Sequence, residues 1–163
     1  MITYKELTDI LNYDPDSGIF TWRYTRSSRA VKNSVAGTLT PDGYISININ
    51  RHIYRAHRLA WLYCFQEWPL HFIDHINGIR NDNRLDNLRE ATKLENSYNT
   101  KAHKDSSTGV KGVFFNKANN NYRAQIRYKG QKLSLGSFKT VEEASEAYNT
   151  KAMEIHGEFY NKG

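Results

Sequence analysis

The chain has 163 residues, which is room for one ordinary domain or two small ones. Its mean hydropathy is -0.74, and no apolar run approaches the roughly 18 residues that a bilayer-crossing helix needs, so a helical membrane protein is excluded. The net charge of +6 and pI near 9.4 favour a polyanionic partner, nucleic acid foremost, while the single Cys64 rules out a disulfide framework or a zinc ribbon and suits a reducing cytoplasm.

The N-terminal "MITYKELTDIL" lacks a basic start followed by an apolar core, so no secretion signal is expected. In "TYKELTDILNY", Leu7, Ile10 and Leu11 sit at helical spacing. "DPDSG" is a turn cluster, and "GIFTWRY" and "GYISININ" alternate apolar and polar residues as half-buried strands do. "HRLAWLYCFQEW" predicts a buried helix ending before Pro69. Residues 103–109 are polar and predict a linker between a first domain, 1–102, and a second, 110–163. The shorter second part is the more basic, at +4 against +2. The pentapeptide "YNTKA" occurs at 98–102 and at 148–152, but the flanks differ and it marks no repeat.

Between the predicted helix and the linker lies "FIDHINGIRNDNRLDNLREATKLEN". "FIDHI" predicts a strand, Asn77-Gly78 a tight turn, "NLREA" a returning strand, and Thr92 with Glu95 the capping box of a following helix. Asp74 and His75 then end the first strand, and Asn96 opens the helix. A carboxylate and an amide oxygen are hard donors that suit Mg²⁺ rather than zinc, and a neutral histidine beside them can accept a proton from water. Metal plus base is the minimum for phosphodiester hydrolysis. On residue types alone, a structural Asp-His pair in an asparagine-rich loop stays open beside that reading.

The composite "IDHINGIRNDNRLDNLREATKLEN" resembles the HNH endonuclease motif, in the form found in phage homing endonucleases. "HRLAW", "DPDSGIFTW" and "DGYISI" extend the likeness over most of 13–100, with the motif core at 57–100. The resemblance implies a ββα-metal fold, with His75 as the general base and Asn87 as the residue that pins the loop and orients that histidine. It implies Asp74 and Asn96 as ligands of Mg²⁺, for which Mn²⁺ is a substitute. Asn96 stands where many members have histidine. Asn81, Asp82, Asn83, Arg84 and Asp86 are expected to hold the loop by side-chain to backbone hydrogen bonds, with phosphate contact by Arg84 or Arg80 as the alternative, and His57 to pack or hydrogen-bond behind the site.

In the second part, "VKGVFF", "YRAQIRY" and "QKLSLGSF" predict three strands, the last two joined at Lys129-Gly130. "TVEEASEAYNTKAMEIHG" predicts one amphipathic helix, capped by Thr140 and Glu143, with Val141, Ala144, Ala147, Tyr148, Ala152 and Ile155 on its apolar face. Tyr122, Ala124, Ile126 and Tyr128 share one sheet face; Arg123, Gln125 and Arg127 share the other, with Lys132 and Ser134. Such a face can be an ordinary solvated surface or a reader of a DNA groove. "GVKGVFF…YRAQIRY…KLSLGSFKTVEEASEAYNTKA" is similar to the AP2 DNA-binding domain over about 108–160. That resemblance implies DNA contacts from Lys111, Arg123, Gln125, Arg127, Lys132, Ser134 and Tyr148. Phe114 and Ser134 depart from the arginine and tryptophan of plant members, so the plant target sequence does not carry over.

The expected fold class is α+β: a ββα-metal nuclease module with N-terminal strands, then a small three-stranded antiparallel sheet with one helix. The expected function is a metal-dependent endonuclease on double-stranded DNA, a monomer without a membrane partner, working in the cytoplasm (a bacterial host's if phage-encoded). The alternatives are a DNA-binding regulator with an inactive nuclease module and an RNA-directed nuclease.

Overall fold

The computed structural model describes residues 1–100, 102 and 106–160. The fold is mixed α+β, and the chain divides into two compact units, Met1–Lys93 and Leu94–Gly163. The division falls inside a short helix, not within the polar segment 103–109, of which 103–105 lie outside the described residues. No helix among the described residues is long and apolar enough to cross a membrane.

The first unit opens with helix α1, Tyr4–Ile10, whose Thr3 and Glu6 close a capping box on the free amides of its first turn. Leu7 and Ile10 bury its inner face. The helical spacing predicted for Leu11 does not continue the helix. Leu11 starts strand β1, Leu11–Asp14, which pairs antiparallel with β2, Ile19–Trp22, so that Leu11 faces Trp22 and Tyr13 faces Phe20. Cross-strand apolar pairing outweighs one further helical turn here.

A three-stranded antiparallel sheet follows, formed by β3, Thr38–Leu39, β4, Ile45–Ile49, and β5, His52–Arg55. Helix α2, Ala56–Phe65, lays Ala56, Leu59, Ala60 and Leu62 into the core with Leu7, Leu11, Phe20, Ile47 and Ile49. Each fully buried Leu, Ile or Phe side chain among these contributes about 1.5–3 kcal/mol of hydrophobic stabilisation. Strands β6, Phe72–His75, and β7, Leu88–Ala91, then form a two-stranded antiparallel ribbon anchored to that core through Ile73 and Leu88. Helix α3, Lys93–Tyr98, follows directly, giving the order β, β, α expected for this stretch.

The second unit contains a three-stranded antiparallel sheet of β8, Val113–Asn116, β9, Asn121–Tyr128, and β10, Gln131–Phe138, in the order β10-β9-β8. Helix α4, Val141–His156, carries the predicted Thr140–Glu143 capping box. Its buried stripe is Ala144, Tyr148, Ala152 and His156, packed on Val113, Ala124 and Ile126. The alanines let the helix lie close to the sheet. Close approach also explains Gly112: at φ +72 it lies under Tyr148, and a Cβ there would stand 2.1 Å from the ring's Cε2.

Candidate active site

His75 ends β6 and is only 4% exposed. Its Nε2 lies 3.2 Å from Oδ1 of Asn83. The Asn83 amide nitrogen is turned toward the carbonyl of Asn81, at 3.4 Å, so Oδ1 is the atom offered to the ring. Oδ1 accepts from the ring when Nε2 carries the proton. Burial pushes the imidazole below the ordinary histidine value; the Asn83 bond and the Asp74 charge oppose that shift without cancelling it. The ring is therefore neutral at physiological pH and able to accept a proton.

Two aromatic neighbours fix the ring. His57, from α2, meets it edge to face at 5.0 Å, and Tyr44, beside β4, lies 5.9 Å away. His57 is itself buried, and burial pulls its pKa down to about 3, with the neighbouring His75 adding to the effect. It is a neutral packing partner in the wall behind the site.

Asp74 is 5% exposed and lies directly opposite Arg89 in the β6–β7 register. Arg89 donates to its Oδ2 from Nε, at 3.0 Å, and from Nη2, at 2.8 Å. A buried carboxylate paired in this way is held in one orientation. Sequence reasoning missed Arg89. The signal was available only in the pairing register, which sets two opposite charges across from each other.

Between β6 and β7 the chain makes a loop, 76–87, closed by its own side chains. Asn87 accepts from the Asn77 amide at 2.9 Å and donates to the Asp82 carbonyl at 2.8 Å. Asn77 donates to the Asp82 carboxylate at 2.7 Å, and Arg84 donates to it from Nε and Nη2. The Arg84 bond is the main reason the Asp82 carboxyl is held at about 2. Asn87 thus ties the two ends of the loop together, while Asn83 is the residue that touches His75. Nothing in the sequence singles Asn83 out from Asn81.

The loop rests on the N-terminal hairpin. Tyr13 donates its hydroxyl to the Asn83 carbonyl at 2.7 Å, and Leu85 donates its amide to the Pro15 carbonyl at 3.0 Å. Gly18, at φ +72, abuts the loop backbone so closely that a Cβ would fall 2.4 Å from Arg84 N. The "DPDSG" turn is therefore a buttress for the residue that holds His75.

Asn96 lies half-buried on α3, in the second unit. Asp74, His75, Asn83 and Asn87 are brought together in the first. The end of α3 is anchored within the second unit: Lys111 Nζ donates to the Tyr98 and Thr100 carbonyls at 2.7 Å each, and Tyr98 stacks on His156 at 3.6 Å. Among the described residues no three His, Cys, Asp or Glu side chains cluster as a metal site. A carboxylate and an amide oxygen are donors that a hard divalent cation accepts; Asp74 belongs to the first unit and Asn96 to the second.

On the second unit's sheet Arg123, Arg127, Lys132 and Ser134 are exposed and Gln125 is half-buried. The register sets Arg127 opposite Lys132 and Gln125 opposite Ser134. Two of the expected contacts stand elsewhere. The Lys111 ammonium is half-buried on the two α3 carbonyls, and Tyr148 is a core side chain, 4% exposed, whose hydroxyl burial pushes up to about 12.

A family model described as HNH endonuclease matches residues 54–98, which span β5 through α3. Protein 3.8 of Escherichia phage T7 is 35% identical over 89 residues, covering 55% of this chain and 73% of that protein. An uncharacterized HNH endonuclease, L560, of Acanthamoeba polyphaga mimivirus is 36% identical over 88 residues, covering 54% of this chain and 44% of that protein. No solved structure matches the chain. The motif, the buried neutral histidine beside a paired carboxylate, and these relatives agree: the chain belongs to the HNH endonuclease family.

Proposed function

We propose that the protein is a metal-dependent endonuclease acting on double-stranded DNA, with His75 as its general base and Asp74 and Asn96 as ligands of Mg²⁺. The observation that carries this reading is the buried neutral His75, its Nε2 turned to Asn83 and its neighbour Asp74 set by Arg89. His75 takes a proton from water; the water oxygen bonds to phosphorus as the bond to the 3′ oxygen breaks, and that oxygen leaves to take up a proton from solvent. A bound divalent cation neutralises the charge that develops on the phosphate and the leaving oxygen. Asn87 and Tyr13 keep the loop and Asn83 in place, so the base is oriented before substrate arrives.

The second unit serves as an AP2-like DNA-binding module on the same reading. Support comes from the exposed row of Arg123, Arg127, Lys132 and Ser134 with Gln125 beside it. Arg127 and Lys132 face each other across the strands, an arrangement unfavourable in isolation and relieved by an anion. Among the described residues Arg123, Arg127 and Lys132 form no ion pair, so their charge is available to phosphate.

The test is nicking of a supercoiled plasmid with Mg²⁺, with and without EDTA, by the wild type and by His75→Ala. Cleavage that needs the metal and is lost in the variant while DNA binding persists supports the reading. Undiminished cleavage by the variant removes His75 from its role.

A further inference from the structure

Beside the candidate base the first unit carries an arginine–tyrosine stack. Two guanidinium groups approach the Tyr44 ring: Arg55 is centred 5.0 Å from it and Arg80 5.2 Å. The same ring contacts both His57 and His75. The two arginines are differently engaged. Arg55 donates to the Asp42 carboxylate at 2.9 Å, to Thr40 at 3.0 Å and to Ser46 at 3.2 Å, so its donors are occupied in holding the turn before Tyr44. Arg80 is exposed and makes one hydrogen bond, from Nη1 to the Asp42 carbonyl at 2.9 Å. That bond and the ring beneath it aim the guanidinium while leaving most of its fork unengaged.

The other arginines around this site are committed. Arg84 donates twice to Asp82, Arg58 donates to the Pro69 and His71 carbonyls, and Arg89 holds Asp74. A planar cation with open donors, fixed on an aromatic platform one ring away from the base, has the form of a phosphate clamp. We infer that Arg80, aligned by Tyr44 and the Asp42 carbonyl, binds a backbone phosphate of the DNA next to the bond presented to His75. This inference rests on the nuclease reading and names a binding residue within it.

The experiment uses the full chain with a short DNA duplex in EDTA, and follows the dissociation constant across a salt series. Each phosphate contact on duplex DNA contributes about -0.9 to the slope of log affinity on log salt. Arg80→Ala is expected to flatten the slope by about one contact, and Arg80→Lys to retain the slope while lowering kcat with Mg²⁺, because a point charge does not reproduce the fork. Arg84→Ala is expected to retain the slope. Thermal melts establish that each variant is folded, and an exposed arginine leaves little room for misfolding. If the wild type binds with salt dependence and Arg80→Ala keeps the full slope, or if Arg84→Ala flattens it equally, the assignment of Arg80 is overturned and the nuclease reading stands. If the wild type neither binds nor cleaves duplex DNA, the nuclease reading falls and this inference with it.

Discussion

In the first unit the polar side chains proposed for proton transfer are out of water, and in the second the cationic row proposed for DNA binding stands in it. Asp74, His75, Asn83 and Asn87 are each at most 5% exposed, and each has named partners in the fold. Arg123, Arg127, Lys132 and Ser134 are exposed on β9 and β10. Buried groups have their lone pairs assigned before substrate arrives, which is what proton transfer requires. Exposed cations keep their hydration until a polyanion replaces it, which is what sliding and sampling along DNA require. On the proposed function, the difference predicts that damage to Asp74, His75, Asn83 or Asn87 will show in turnover, and damage to the exposed cationic row in affinity.

The largest expected effect is on the base. His75→Ala should reduce cleavage about 10²–10⁴-fold, the usual contribution of a positioned base, without loosening DNA binding. Because burial lowers the pKa of His75, its base form persists below pH 6.5. The acid limb of a kcat/KM profile should therefore fall below the ordinary histidine value, and activity should be level above it. A limb centred above pH 7 would contradict the burial argument.

Next come the substitutions that test how far each unit's polar groups depend on its packing. Asn87→Ala strands the Asn77 amide and the Asp82 carbonyl, and a buried group left unpaired costs roughly 1–3 kcal/mol. A loss of about 2 kcal/mol in a denaturant melt is expected, together with slower turnover, since the loop also carries Asn83. Gly112→Ala places a methyl group against Tyr148 and should destabilise the second unit by about 1–3 kcal/mol. Its functional cost should appear first as weaker binding, because the packing it disturbs supports the sheet that carries the cationic row. Equal effects of the two variants on kcat would erase the division of labour.

On the exposed face, Arg127→Ala should flatten the salt dependence of binding by about one phosphate contact and leave kcat alone. Tyr148→Phe should do neither, because the ring lies in the core and its hydroxyl is buried.

These cases also mark what the sequence could reveal. Elements set by local pattern were legible: the β6–β7–α3 order, both capping boxes of α1 and α4 in principle, and the alternation that puts Ala124 and Ile126 inside and Arg123 and Arg127 outside. The Thr3–Glu6 box of α1 is equally local, whereas the spacing of Leu11 fits both a helix and a strand. The long-range supports were not legible. Tyr13 reaches Asn83 across 70 positions, and Gly18 matters only because a loop backbone lies against it. Lys111 and Tyr148 follow the AP2-like pattern by position, yet local packing turns one to helix carbonyls and the other into the core. Sequence spacing locates a side chain on an element and is silent on what the neighbouring element brings to it.

The smallest effect concerns the wall behind the site and is a matter of sign. His57 titrates near 6.5 when unfolded and is held down to about 3 in the fold, chiefly by burial. A folded-state value below the unfolded one means that the unfolded chain binds the extra proton first. The contribution of neutral His57 is therefore complete above pH 6.5 and is lost as pH falls from there toward 3. One proton gives a slope approaching about 1.4 kcal/mol per pH unit, so about 1 kcal/mol should be gone by pH 5.5. His57→Phe keeps an aromatic edge against His75 and removes the titration. Its stability should fall less steeply between pH 7 and 5 than the wild type's, read by denaturant midpoints at each pH. Parallel curves for the two proteins would show that His57 is not the proton-sensitive part of the wall, and would leave His75, buried in the same cluster, as the group that titrates.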